Sequence, residues 1–123
     1  MSKFVPSLTE EERAFARSMA RALEPFRNVR STMPLQYVYS FLLVAMAEGK
    51  SVSEYADDAG ISRAVMTRQL LDIGDRNREG DVGFKLITQE RDRNDLRRHN
   101  ARITPAGKAL MIQIIKALKT IPR

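Results

Sequence analysis

Apolar residues recur at helical spacing in the first part of the chain. A first amphipathic helix is predicted over about 8–30, because Thr9 and the three glutamates after it are a typical helix start and apolar residues follow every three or four positions. Pro25 falls inside this pattern, and we expect it to end or kink the helix. A broader apolar pattern starts at Pro34 and stops before Gly49, which predicts a second, central helix.

Two short helices joined by a glycine turn are predicted next. Ser51 or Ser53 would cap the first helix, Gly60 would supply the turn, and Ser62 would cap the second, which runs to about Ile73. The second helix has one apolar side, while polar and small residues lie on or near its other side. This order of elements is typical of a helix-turn-helix.

An arginine-dense stretch then lies between two strand-like segments, 84–88 and 101–104. If the segments pair, the charged residues between them form the tip of a hairpin. Residues 75–83 contain two glycines and predict a loop, and Thr104 would cap a last helix over about 105–120. The expected fold is mainly α with a small β-hairpin (α+β). It would be one winged helix-turn-helix domain over 1–123, with a core at 34–104 that includes a wing at 84–104, and with one further helix on each side of this core.

Composition narrows the function of this domain. The 123 residues carry a net charge of +6 and a pI near 10.1, which favours a polyanionic partner, most simply nucleic acid. With no cysteine and a single histidine, we expect no disulfide, zinc site or other cofactor. The longest apolar run has seven residues, and the N-terminus turns acidic, so a cytoplasmic protein without a membrane span is expected. Without a glycine-rich phosphate loop or a nucleophile–base pair, an enzyme is not expected.

The second short helix carries residue types that read base edges in the major groove. Arginine can bind guanine O6 and N7, glutamine can bind adenine N6 and N7, and small apolar side chains can contact a thymine methyl. Ala64 and Arg68 lie one turn apart and are the best candidates for base contacts. The full set of predicted DNA contacts on this helix is Ser62, Arg63, Ala64, Val65, Thr67, Arg68 and Gln69. The alternative is that the arginines only make an exposed face soluble.

Two motifs resemble the MarR-type winged helix-turn-helix regulators. The run from Ile61 to Ile73 resembles their recognition-helix segment, and the order Asp95-Leu96-Arg97, Ala101, Ile103-Thr104 and Gly107 resembles their wing. The resemblance covers roughly residues 35–110. It implies that Asp95 and Arg97 hold the shape of the wing, with Arg97 still near DNA, while Arg93 and Arg98 at the tip reach a phosphate or the minor groove.

The same resemblance implies a homodimeric repressor of transcription that binds double-stranded DNA. Apolar sides of the first and last helices are the available dimer surfaces, formed by Phe15, Met19, Leu23, Ile114, Ile115 and Leu118. It also implies a pocket for a small aromatic ligand near Tyr37, Tyr39 and Phe41, although core packing explains these three residues equally well. Residues 75–83 and the short C-terminal segment depart from the family pattern. An adaptor that binds protein, or a nonspecific DNA-coating protein, therefore remain as alternatives.

Overall fold

The computed structural model describes residues 7–75, 83–95 and 98–119. In this part, five helices and one hairpin follow one another as α1 (Glu10–Val29), α2 (Leu35–Met46), α3 (Val52–Ala59), α4 (Arg63–Ile73), β1 (Ile87–Arg91), β2 (His99–Ile103) and α5 (Pro105–Lys119). The predicted fold, mainly α with a small β-hairpin, is confirmed. None of these helices is long and apolar enough to cross a bilayer.

Helix α1 begins with a reciprocal cap. The side chain of Thr9 accepts the N–H of Glu12, and the carboxylate of Glu12 accepts the N–H of Thr9. Pro25 does not end this helix, since α1 continues to Val29; a kink at Pro25 stays a prediction. Pro25 is near the C-terminal end, so its missing N–H affects only one turn. Its neighbour Phe26 is buried and packs edge-on against Phe41, with ring centroids 5.7 Å apart, which holds the last turn against the core.

The core surrounds α2 and is closed by α4, α5 and the hairpin. Its largest fully buried side chains come from four different elements: Phe41, Tyr55, Met66, Leu70, Ile73 and Ile87. The hydroxyl of Tyr55 donates to the carbonyl oxygen of Ala47 at 2.6 Å, which satisfies the polar end of a buried ring. The first helix packs along α5.

The hairpin is antiparallel, with Ile87 opposite Ile103 and Arg91 opposite His99. Its first strand starts three residues later than the predicted 84–88. The reason is that residues 84–86 bond to the end of α4 instead: the N–H groups of Phe84 and Leu86 donate to the carbonyls of Asp72 and Ile73, at 3.0 and 2.8 Å. These bonds satisfy carbonyls that a helix end leaves without intrahelical partners.

Strand β2 is also attached to the connection between α2 and α3. The N–H of Gly49 donates to the carbonyl of Ala101 at 2.8 Å, and the N–H of Ala101 donates to the carbonyl of Lys50 at 3.1 Å. An isolated bridge between Ser51 and Asn100 extends this pairing. The hairpin is therefore held by backbone bonds on two sides, which fixes its position relative to the helix-turn-helix.

Helix α5 starts in close contact with the base of the hairpin. The hydroxyl of Thr104 donates to the carbonyl of Lys85 at 2.6 Å and accepts the N–H of Gly107 at 3.0 Å, as predicted for a capping residue. A Cβ atom on Gly107 would lie 2.2 Å from the carbonyl oxygen of Leu86, so only glycine permits this approach.

Candidate nucleic-acid interface

The helix-turn-helix is built from local capping signals. Ser51 and Glu54 form a reciprocal cap at the start of α3, and Gly60 ends that helix with a left-handed φ of 69°. The side chain of Ser62 then accepts the N–H of Val65 at 3.2 Å, which begins α4. Of the two predicted caps for α3, Ser51 is therefore the residue used.

Helix α4 buries one side and exposes the other. Met66, Leu70 and Ile73 are fully buried. The exposed residues are Ser62, Arg63, Ala64, Val65, Thr67 and Arg68. Six of the seven residues predicted to contact DNA from this helix therefore lie on its accessible surface.

The seventh predicted contact, Gln69, is not on that surface. Its side chain is 7% exposed, and its Oε1 accepts a hydrogen bond from the hydroxyl of Ser40 on α2 at 2.5 Å. Gln69 follows Met66 by three positions and precedes Ile73 by four, which places it on the buried side of the helix. The prediction that Gln69 contacts DNA is wrong.

The tip of the hairpin is shaped by Asp92, a residue that the sequence did not single out. Its carboxylate accepts the N–H groups of Asn94 and Asp95 at 2.7 and 3.3 Å, and the side-chain amide of Asn100 at 3.1 Å. The backbone hydrogen bond from Asn94 and the side-chain bond from Asn100 are the main causes that lower the pKa of Asp92. An aspartate whose carboxylate binds the N–H two residues later is a known turn signal, and it could have identified Asp92.

The side chain of Arg98 extends toward α3 and remains 39% exposed. One guanidinium nitrogen lies 2.5 Å from the carboxylate of Glu54, and Nε lies 3.5 Å from Asp92 and donates to Asn100 at 3.1 Å. The pKa of Glu54 is lowered, first by the N–H and hydroxyl of Ser51 and further by Arg98. These bonds hold the side chain of Arg98 between the hairpin and α3, not free at the tip of the wing as expected, and its contact with DNA stays a prediction.

The other predicted wing residues have different outcomes. Arg93 is exposed in the turn, and Asp95 is exposed beside it. Arg97 lies outside the described residues, so its proposed pairing with Asp95 stays a prediction. Residues 76–82 of the predicted loop also lie outside the described part, while the N–H of Gly83 donates to the carbonyl of Asp75 at 3.0 Å and brings the loop ends together.

The start of helix α4 and the hairpin border the same cleft. A cleft of about 430 Å³ is bordered by the start of α3, by Arg63 at the start of α4, and by Asp95, Arg98 and His99 of the hairpin. Within the described residues, Arg63, Arg68 and Arg93 have no acidic side chain within ion-pair distance. The cations of this surface are consequently available to an external anion.

A second surface is an apolar groove between α1, α2 and α5. It has a volume of about 380 Å³. Phe15 and Met19 beside it are 54% and 56% exposed. Its lining residues are Met19, Ala22, Leu23, Phe26, Leu35, Val38, Tyr39, Leu42, Met111, Ile114, Ile115 and Leu118.

Five of the six predicted dimer residues are accessible at or beside this groove. The exception is Ile114, which is only 6% exposed because it packs into the core. It still lines the groove, and its role as a dimer contact stays a prediction. The three aromatic residues suggested for a ligand pocket differ in their exposure and contacts. Tyr39 lines the groove and is 51% exposed, whereas Phe41 is fully buried and Tyr37 bonds to Asp72 on α4.

The fold resembles several solved structures. The transcriptional repressor CouR, solved on a 23-mer DNA duplex, is 25% identical with a TM-score of 0.54, over 89% of this chain and 70% of that chain. A mutant of S. aureus MepR bound to an oligodeoxyribonucleotide is 15% identical with a TM-score of 0.64, over 85% of this chain and 70% of that chain. A MarR-like transcriptional regulator from Thermotoga maritima is 23% identical with a TM-score of 0.59, over 74% of this chain and 59% of that chain.

The chain has the fold of the MarR-type winged-helix regulators. In this MarR-type fold, α4 takes the place of the recognition helix and the β1–β2 hairpin takes the place of the wing. The chain spans only 59% of the length of the Thermotoga regulator. No family model and no curated protein matches the sequence.

Proposed function

We propose that this protein is a homodimeric, double-stranded DNA-binding regulator of transcription that acts as a repressor. One observation carries the proposal: α4 presents Arg63 and Arg68 outward, without acidic partners in the described residues, beside a hairpin that exposes Arg93. The similar structures named above are transcriptional regulators, and two of them were solved on DNA, which favours a regulator over an enzyme.

The exposed side of α4 has the size and chemistry for the major groove, which admits an α-helix. Arg68 can donate two hydrogen bonds to guanine O6 and N7, and Ala64, one turn earlier, can contact a thymine methyl. Ser62 and Thr67 are suited to phosphate oxygens, which fix the position of the helix without reading sequence.

The wing contributes charge next to this helix. Arg93 is exposed in the turn that Asp92 shapes, so it can reach a phosphate or a narrow minor groove. Because Arg98 is already bonded to Glu54 and Asp92, its role is to hold the wing. Each phosphate that the protein neutralises adds about 0.9 to the slope of log K against log salt concentration.

A second copy of the chain would cover the apolar groove. Contiguous apolar surface from three helices is exposed there, and such a surface marks an interface in a protein of this size. Two copies would read half-sites about one helical turn, roughly 34–36 Å, apart, which gives a short DNA-binding helix the specificity that one copy lacks.

Duplex binding by charge variants tests the role of α4. Arg63→Ala with Arg68→Ala should lower affinity for a fluorescent duplex of mixed sequence by tenfold or more at moderate salt, measured by anisotropy. Arg21→Ala with Arg27→Ala removes the same charge from the exposed side of α1 and should have a much smaller effect. Unchanged affinity in the α4 variant would overturn the proposal and favour a protein-binding adaptor.

Sedimentation of a matched pair tests the dimer. Ile115→Glu places a charge at the apolar groove, whereas Gln113→Glu places the same charge on the other side of α5. The wild type and Gln113→Glu should sediment at twice 14.0 kDa, and Ile115→Glu should sediment as a folded monomer. A wild type that stays at 14.0 kDa at micromolar concentration would contradict dimerisation through this groove.

A further inference from the structure

Two side-chain hydrogen bonds join α4 to α2, one inside the core and one at its half-buried edge. The hydroxyl of Ser40 donates to Oε1 of Gln69 at 2.5 Å, and the hydroxyl of Tyr37 donates to a carboxylate oxygen of Asp72. Tyr37 and Ser40 are three residues apart on α2, and Gln69 and Asp72 are three residues apart on α4. The two bonds are therefore successive contacts along a pair of antiparallel helices.

The setting of these bonds is apolar. Ser40 and Gln69 are 1% and 7% exposed, and the same side of α4 contributes Met66, Leu70 and Ile73, all at 0%. Apolar contacts are non-directional and tolerate small rotations and shifts of a helix. A hydrogen bond is directional, and a buried polar group without its partner is unfavourable, so these two bonds select one arrangement.

The arrangement determines which residues α4 exposes. Successive side chains on a helix are about 100° apart, so a shift by one position would exchange Arg68 for Gln69 on the exposed side. Such a shift would also separate Ser40 from Gln69 and Tyr37 from Asp72. The arrangement that forms both hydrogen bonds is therefore also the one that exposes Arg68.

We propose that Tyr37, Ser40, Gln69 and Asp72 are positioning residues that fix the rotation and register of α4, and that they contribute to discrimination between DNA sequences more than to overall affinity. The inference rests on the proposed function, because it concerns the same helix. None of the four residues has to touch DNA. Their effect comes from holding Ala64, Arg68 and their neighbours at one distance and angle from the base edges.

The donor of the Tyr37–Asp72 bond keeps its proton over the ordinary pH range. Burial, together with the bond to Asp72, raises the pKa of Tyr37 to about 12, so the hydroxyl stays protonated and can donate. The second carboxylate oxygen of Asp72 is buried and has no hydrogen-bond partner among the described residues. The carboxylate is therefore held at α2 through Tyr37 alone within that part of the chain.

The test uses the full chain, a duplex enriched by the wild type from a random pool, and a scrambled duplex of the same composition. Ser40→Ala with Gln69→Leu replaces a buried polar pair by apolar side chains, which a core can accept without loss of stability. We expect the variant to melt near the wild-type temperature and to keep its affinity and salt slope on scrambled DNA. The ratio of affinities for enriched and scrambled duplex should fall at least fivefold.

Ser18→Ala is the matched control, because it also removes a buried hydroxyl, but from α1 and not from the α2–α4 contact. This variant should leave the ratio of the two affinities unchanged. An unchanged ratio in the folded double variant would overturn the inference and leave the proposed function standing. If the double variant does not fold, Tyr37→Phe is used in its place, because it removes only one oxygen atom. This variant should lower the ratio of affinities for enriched and scrambled duplex at least threefold, and a smaller change would overturn the inference. A wild type that binds neither duplex would overturn the proposed function and the inference together.

Discussion

Replacement of Arg98 by alanine tests whether this side chain contacts DNA or holds the structure of the wing. In the structure, this side chain is 39% exposed and pairs with Glu54, which is 45% exposed. Ion pairs with this degree of exposure contribute about 0.2–1 kcal/mol, a factor of roughly 1.4 to 5 in an equilibrium constant. We therefore expect a small loss of stability, and a loss of DNA affinity that is independent of salt concentration.

Two measurements check this expectation. Anisotropy titrations over a series of salt concentrations should show that Arg93→Ala reduces the log–log slope by about 0.9, while Arg98→Ala leaves it unchanged. Urea unfolding of Glu54→Ala, Arg98→Ala and the double variant should give a coupling free energy of about 0.2–1 kcal/mol. The cycle is needed because Glu54 also caps α3 with Ser51, so its single variant loses more than the ion pair.

The reasoning would be refuted by a drop of about 0.9 in the slope for Arg98→Ala together with no measurable coupling to Glu54. That result would mean that Arg98 leaves Glu54 and reaches a phosphate when DNA is bound. Arg93, which is exposed at the turn, serves as the positive reference in the same titrations.

Three further predictions concern stability. Gly107→Ala should destabilise the fold by about 1–3 kcal/mol in urea unfolding, since the new Cβ would lie 2.2 Å from the carbonyl oxygen of Leu86. Thr9→Ala should lower the free energy of unfolding by about 1 kcal/mol, because the α1 cap is lost. An unchanged melting temperature would argue against that cap. The pKa of Tyr37 is raised to about 12, so the folded state binds the phenolic proton more tightly than the unfolded state does. The stability that results from this difference is fully present below about pH 10 and is lost as the pH rises toward about 12. The urea midpoint of the wild type should fall over that range more steeply than that of Tyr37→Phe, and parallel curves would exclude the effect.

Element boundaries were predictable where the sequence carries local signals. Ser62 begins α4 and Thr104 begins α5 because a short hydroxyl side chain can accept a backbone N–H of the first turn, and this depends only on neighbouring residues. The start of β1 was not predictable in the same way. Phe84 and Leu86 have strand-like side chains, but their N–H groups bond to the end of α4, and only the folded chain brings the two together.

Gln69 and Arg98 lie elsewhere than expected for related reasons. Gln69 has a polar side chain, and the sequence alone does not show that Ser40 on another helix offers it a buried partner. Its spacing from Met66 and Ile73 carries the correct signal, because this spacing places Gln69 on the buried side of the helix. Arg98 is paired with Glu54, which lies 44 positions earlier in the chain, so charge density alone could not separate it from Arg93.

The most direct test of the central claim is selection of bound sequences from a pool of random duplex DNA with the wild-type protein. Two copies, each inserting one α4 helix, should enrich a pseudo-palindromic motif with half-sites about one helical turn apart. Arg63→Ala with Arg68→Ala should abolish this enrichment. A wild-type pool that stays random after repeated rounds would contradict sequence-specific recognition by α4.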